Sequence, residues 1–140
     1  MKVLQMAHAG MNVADMEKTL KFYCGIMGME HVFSLERNEK PWIEYVKYGE
    51  RQFLEFFYTY DQKMRLPNMR NYYAVHHLAF CVDDIHEMDK ICKENGVKIK
   101  TEPLLGPDNT WQMWIYDPDG NELEIMEYTD QSFQLKGENQ

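Results

Sequence analysis

With 140 residues, 44% of them hydrophobic and 14% aromatic, the chain has apolar content enough for one packed domain and too much for a disordered one. Its net charge of −8 has no compensating basic block, which argues against nucleic acid or an anionic membrane surface as a partner. Cys24, Cys81 and Cys92 are odd in number and lack C-x-x-C spacing. They read as reduced thiols of a cytoplasmic chain, and no stretch is apolar enough for a signal peptide or a membrane span.

In chain order, Val3 to Val13 reads as a strand with Met6, His8, Gly10 and Asn12 on one face and apolar residues on the other. The first face suits a site better than a core. Asp15 is an N-cap for a helix whose apolar stripe is Met16, Leu20, Tyr23 and Ile26–Met27, ended by Gly25 and Gly28. Strands are expected over Glu30–Leu35, Trp42–Tyr48 and Gln52–Tyr60. In the last of these Phe53, Glu55 and Phe57 share one face, which leaves Glu55 a lone charge between aromatics. The stretch 61–73, with Lys63, Arg65 and Arg70, reads as a linker.

A second set of elements follows. Val75 to Val82 is a strand in which His77, Ala79 and Cys81 share a face and His76 turns away from His77. Asp83-Asp84 caps a helix with Ile85, Met88 and Ile91–Cys92 buried, and Asn95-Gly96 stops it. Val97–Leu105 is a strand with Pro103 at its end or on a sheet edge. Trp111–Tyr116 and Leu123–Tyr128 flank Asp117-Pro118-Asp119-Gly120-Asn121, a tight-turn sequence, so they form a hairpin. Pairing Asp117 with Asn121 puts Trp114 opposite Glu124 on one face. Residues 130–140 read as a loose polar tail.

The two sets are one pattern repeated. A shift of 69 positions (77 minus 8, and 124 minus 55) lays His8 on His77 and Glu55 on Glu124. It also lays Val13 on Val82, Asp15 on Asp84 and Lys21 on Lys90. The fold class expected is therefore α+β: two βαβββ modules, about 3–60 and 74–129, forming a cupped mixed β-sheet half-barrel with helices outside. Two His and two Glu in symmetric places point to one metal site on the pseudo-two-fold axis. His31, His76 and His86 read as ordinary imidazoles, and Trp42 and Trp111 as core.

This order of motifs resembles the vicinal oxygen chelate superfamily over about Met6 to Tyr128. The resemblance rests on His8 with Asn12-Val13-Ala14-Asp15, Leu20-Lys21-Phe22-Tyr23, Gly28-Met29, His77-Leu78-Ala79-Phe80, and Asp117-Pro118-Asp119-Gly120-Asn121 leading to Glu124. In the glyoxalase I branch it implies metal ligands His8, Glu55, His77 and Glu124, with Glu55 or Glu124 as the base. The implied function is a metal-dependent lyase or isomerase of an α-hydroxycarbonyl or hemithioacetal, working through a metal-stabilised enediolate. The alternatives are an epimerase, a ring-cleaving dioxygenase or a non-catalytic small-molecule binder. Asn12, Phe53, Phe57 and Trp114 are the expected substrate contacts. Two imidazoles and two carboxylates suit an open six-coordinate divalent ion. Nickel or cobalt is favoured by resemblance to short bacterial glyoxalases, with zinc or manganese next. After Glu55 the chain runs Phe56-Phe57-Tyr58-Thr59-Tyr60, where glyoxalase I continues toward an Asn that helps hold glutathione, so glutathione is not expected as the substrate handle. Short relatives are mostly two-fold dimers, and a homodimer is expected here.

Overall fold

The computed structural model describes residues 1–61 and 71–138. The chain divides into two compact units, Met1–Arg65 and Leu66–Gln140. The basic residues Lys63, Arg65 and Arg70 of the expected linker lie outside the described residues.

The first unit runs β1 (His8–Val13), α1 (Met16–Leu20), a π-helical stretch (Lys21–Ile26), β2 (Glu30–Arg37), β3 (Lys40–Gly49) and β4 (Gln52–Tyr58). Asp15 starts the helix by accepting from the Lys18 N–H at 3.1 Å. The helix then widens, and the Met27 N–H bonds the Phe22 carbonyl five residues back at 2.9 Å. The sheet order is β1-β4-β3-β2, with β1 parallel to β4 and the other pairs antiparallel. The β2–β3 hairpin turns on Asn38 and Glu39, both at positive φ (53° and 60°), the geometry that matches strand twist in a two-residue loop.

Strand β1 is shorter than the sequence suggests. Residues 3–7 precede it and are exposed. The ladder opens at His8 opposite Phe53, because β4 itself begins only at Gln52.

The helix side of this sheet carries the core, with Val46, Leu54 and Phe56 buried beside Phe22 and Tyr23. The rings of Tyr23 and Phe56 lie 4.8 Å apart. Glu44 is buried as well. It accepts from Ser34 Oγ at 2.5 Å and Tyr58 OH at 2.9 Å, and it lies 2.6 Å from His31 Nε2. Burial alone would raise the Glu44 carboxyl, but the donors Ser34, His31 and Tyr58 outweigh it and hold the group below the usual carboxylate range. Burial and the Glu44 carboxylate push the Tyr58 hydroxyl up to about 12.

A group whose pKa falls on folding stabilises the fold above its unfolded value, about 4.3 for Glu. That contribution disappears as pH falls through the lower folded value. The stability gap between the parent and Glu44→Gln should therefore be largest near neutral pH and shrink on acidification below about pH 4.3. Urea melts from pH 7 to pH 3 check this, and a gap independent of pH would contradict it.

The second unit runs β5 (Leu78–Cys81), α2 (Ile85–Glu94), β6 (Ile99–Leu105), β7 (Trp111–Tyr116), β8 (Glu122–Glu127) and α3 (Phe133–Glu138). Its sheet order is β5-β8-β7-β6, again with the first pair parallel and the others antiparallel. Asp84 accepts from the Glu87 N–H at 2.9 Å, and Glu127 on β8 accepts from the Ile85 N–H at 2.8 Å. Two carboxylates thus meet the positive end of α2. Gly96, at φ 67°, ends the helix in the left-handed region. Met113, Ile115, Leu123 and Ile125 are fully buried, as are Ile85 and Cys92 of α2. Pro103 lies in β6, an edge strand, where the register shifts between Thr101 and Leu104.

The hairpin that orders this unit has the expected register, with Trp114 opposite Glu124 and the Asp117 N–H bonded to the Asn121 carbonyl at 3.0 Å. The Asp117 carboxylate accepts from the Asp119 N–H, the Asn121 N–H and Asn121 Nδ2 at 2.7–3.0 Å. Gly120 supplies the positive φ, 79°.

The C-terminal stretch departs from its polar, loose reading. The Phe133 N–H bonds the Asp108 carbonyl at 3.0 Å. Thr129 Oγ1 donates to the Asn109 carbonyl at 2.7 Å, and Gln134 Nε2 to Asp108 Oδ2 at 2.6 Å. Ser132 and Thr110 are buried and bonded at 2.9 Å. Carbonyls of the 106–110 loop need donors; Thr129 Oγ1, Ser132 Oγ and the Phe133 N–H supply them, while Gln134 bonds the Asp108 carboxylate. The stretch is thus tied to the loop by its polar groups although most of its residues stay exposed. Among the described residues no helix is long and apolar enough to cross a membrane.

The architecture is the α+β fold expected from the sequence: two four-stranded mixed sheets, not closed, with few helices.

Candidate metal centre and active site

In the first unit the site face is built on β1, β3 and β4. His8 opens β1, and its Nε2 lies 3.4 Å from Glu55 Oε2. Glu55 is in the middle of β4 and only 8% exposed. Its parallel neighbour is Gly10 and its antiparallel neighbour is Tyr45. The Tyr45 hydroxyl donates to the other carboxylate oxygen, Glu55 Oε1. Phe33 of β2 stacks on Tyr45, with ring centroids 4.3 Å apart and planes 20° from parallel, and Phe53 meets Tyr45 edge-on at 6.2 Å. Phe57 shares the Glu55 face by alternation and meets Trp42 edge-on at 6.2 Å. Asn12 is opposite Phe57 in the ladder and exposed.

Gly10 leaves the room that Glu55 uses. A Cβ there would stand 3.2 Å from Phe57 Cε2 and 3.4 Å from Glu55 Oε2. Gly10→Ala should fold but shift Phe57 or Glu55, and weaken metal binding by about 10-fold, the lower end of what disturbing a ligand's surroundings costs. Metal titration checks it, and parental affinity would contradict it.

In the second unit Glu124 is flanked by Ala79 on β5 and Trp114 on β7. His77, one residue before β5, brings Nε2 to 3.2 Å from Glu124 Oε2. Trp114 meets the His77 ring edge-on at 4.8 Å and donates from Nε1 to Gln112 Oε1 at 3.2 Å. Lys100 Nζ lies 5.6 Å from the Trp114 ring centre and 2.8 Å from Glu122 Oε1.

His76 does not turn away from His77, as strand alternation implied. The two Nδ1 atoms are 2.8 Å apart. β5 starts only at Leu78, paired with Leu123 of β8, so alternation does not reach these residues. For His77 to offer Nε2 to a cation, its Nδ1 must carry the proton. His76 Nδ1 is placed to accept it, as outer partners of metal-bound imidazoles commonly do.

The structure thus brings the four expected ligands together as two pairs, one in each unit, with Trp114 beside one pair and Phe53, Phe57 and Tyr45 beside the other. Among the described residues no group of three or more His, Cys, Asp or Glu is close enough to hold a metal. Two donors about 2.1 Å from one ion at a right angle stand roughly 3.0 Å apart. The two site pairs, at 3.4 and 3.2 Å, stand close to that separation. Neutral imidazole and carboxylate oxygen are donors that suit first-row divalent ions.

Two sequence-repeated units, each a four-stranded mixed sheet bearing a His–Glu pair, define a duplicated α+β protein. The chain belongs to the Glyoxalase/Bleomycin resistance protein/Dioxygenase superfamily, whose family model matches residues 5–125. It is 28% identical over 133 residues to a lactoylglutathione lyase of Salmonella typhimurium, covering 91% of this chain and 95% of that one. It is 30% identical over 134 residues to a probable lactoylglutathione lyase of Vibrio parahaemolyticus, covering 93% and 95%. Among solved structures, a glyoxalase family protein from Enterococcus faecalis superposes with a TM-score of 0.74 at 28% identity, over 88% of this chain and 97% of that one. These relatives make the chain a glyoxalase-like protein.

Proposed function

We propose that this chain is a metal-dependent, glyoxalase-like lyase or isomerase of an α-hydroxycarbonyl or hemithioacetal. In this reading His8, Glu55, His77 and Glu124 complete one metal site. The observation that carries it is the repeated His–Glu pair, with Nε2 and Oε2 at 3.4 Å in one unit and 3.2 Å in the other. Similarity to proteins named lactoylglutathione lyase supports the reaction class. Nickel or cobalt is the favoured ion, then zinc or manganese.

A bound divalent ion supplies Lewis-acid polarisation of a substrate carbonyl and so acidifies the adjoining C–H. The chain's residues do the rest. A carboxylate, Glu55 or Glu124, takes the proton from one carbon and returns it to its neighbour. Phe53, Phe57 and Trp114 provide apolar walls against water, and Asn12 offers an amide at the rim of the Glu55 face. The chain works as a homodimer with two such sites in a cytoplasmic setting. Mixing His8→Ala with His77→Ala chains reports which copies supply the pairs: recovered activity means pairs from different chains, and none means pairs from one.

The reading is tested with a panel of small carbonyl substrates, with and without thiols, under nickel, cobalt and zinc. On the Glu55 face β4 continues with Phe57, edge-on to Trp42, so past Glu55 that strand presents an aromatic ring and not an amide to a glutathione chain. The hemithioacetal of methylglyoxal and glutathione should therefore fall below about 10⁴ M⁻¹s⁻¹ in kcat/KM, the low end for enzymes, and below a smaller α-hydroxycarbonyl. Faster turnover of that hemithioacetal would make this an ordinary lactoylglutathione lyase. No metal-dependent turnover across the panel would overturn the proposal.

A further inference from the structure

The two halves of the candidate centre are not chemically equivalent. At matching positions of the repeat, Glu55 faces Tyr45 across the ladder and Glu124 faces Trp114. The Tyr45 hydroxyl donates to Glu55 Oε1, while the Trp114 indole N–H is committed to Gln112. Glu55 Oε2 is the oxygen that faces His8. One carboxylate oxygen is thus occupied by a phenol and the other is turned toward the imidazole. The donor is itself fixed, stacked on Phe33 at 4.3 Å and flanked by Phe53. The difference extends to the parallel neighbour, which is Gly10 beside Glu55 and Ala79 beside Glu124.

We propose that Tyr45 is a positioning residue: its hydroxyl pins Glu55 Oε1, so that Oε2 is presented with His8 Nε2 to the metal, while Glu124 has no such phenol. This rests on the reading of Glu55 as a ligand. The physical reason is that a free carboxylate on a strand rotates about its terminal bonds. A hydrogen bond to one oxygen removes that freedom and leaves the other oxygen to coordinate, as outer partners of metal ligands do. Phe33 is part of the device, because the stack limits the swing of the phenol.

The test uses cobalt(II) added to the whole chain, read by visible absorption and by competition titration. Tyr45→Phe keeps the ring and its stack but removes the donor. It should weaken cobalt binding by about 10- to 100-fold, the usual effect of removing an outer partner, and shift the cobalt bands, with the metal-free Tm unchanged. Phe33→Leu should move the bands in the same direction by less. Tyr58→Phe, which removes a phenol from Glu44 on the opposite face of the sheet, should leave cobalt affinity and bands as in the parent. Parental bands and affinity in Tyr45→Phe overturn the proposal, and so does an equal loss in Tyr58→Phe. Glu55→Ala separates the two levels. If it too binds cobalt like the parent, the assignment of Glu55 as a ligand is what fails. If it loses the bands while Tyr45→Phe keeps them, only the role of Tyr45 is wrong.

Discussion

His8→Ala, Glu55→Ala, His77→Ala and Glu124→Ala are each expected to lower metal affinity by more than the 10- to 100-fold that an outer partner costs, and to remove metal-dependent turnover. In the proposed site each deletes one of four donors. Each unit supplies only a single His–Glu couple. His86→Ala is the comparison. His86 is on α2, edge-on to Trp111 at 5.3 Å, and its loss should leave metal binding at the parental level. Equilibrium dialysis against nickel or cobalt reads both results. A His77→Ala chain that holds metal like the parent would show that the centre has been assigned to the wrong residues.

The second large effect concerns the proton. Glu→Gln keeps the shape of the side chain but removes the base. With metal held saturating, Glu55→Gln and Glu124→Gln should separate by their effect on kcat. The one that carries the proton should fall by about 10²- to 10⁴-fold, the usual contribution of general-base catalysis. Glu127→Gln, whose carboxylate caps α2 through the Ile85 N–H, should leave kcat near the parental value. If both site variants turn over at the parental rate, neither carboxylate moves the proton.

Much of this was legible because the sequence is duplicated. The shift that lays His8 on His77 also lays Glu55 on Glu124, and the structure pairs His with Glu inside each unit. The Asp117–Asn121 turn has no irregularity, so counting back from it places Trp114 opposite Glu124 correctly. The same counting fails in the first unit for a local reason. From Gly49 opposite Gln52, it puts Tyr45 opposite Phe56. A register shift between Lys47 and Gly49 moves the ladder by one, so Tyr45 stands opposite Glu55 instead. A one-residue slip changes the face of every later side chain, and a turn sequence does not announce it. The repeat itself holds the missing signal, since Tyr45 is the counterpart of Trp114.

His76 escaped for a different reason. Periodicity presumes a strand, and the ladder of β5 starts two residues later. The C-terminal residues escaped because composition reports solvent preference and says nothing of partners; their Thr, Ser and Gln side chains serve a loop 20 or more positions earlier in the chain. Glu44 shows the converse. A buried carboxylate at a core position satisfied by Ser34, His31 and Tyr58 is invisible to hydrophobic patterning, because its three donors converge only when β2, β3 and β4 are assembled.

In the proposed function two His–Glu pairs make one centre. Cobalt titration of the purified chain, followed by visible absorption and by elemental analysis after gel filtration, tests it most directly. A single tight equivalent per chain is expected, lost in His8→Ala and equally lost in His77→Ala. Two weak equivalents per chain, of which each substitution removes only one, would show that the pairs act separately and would contradict it.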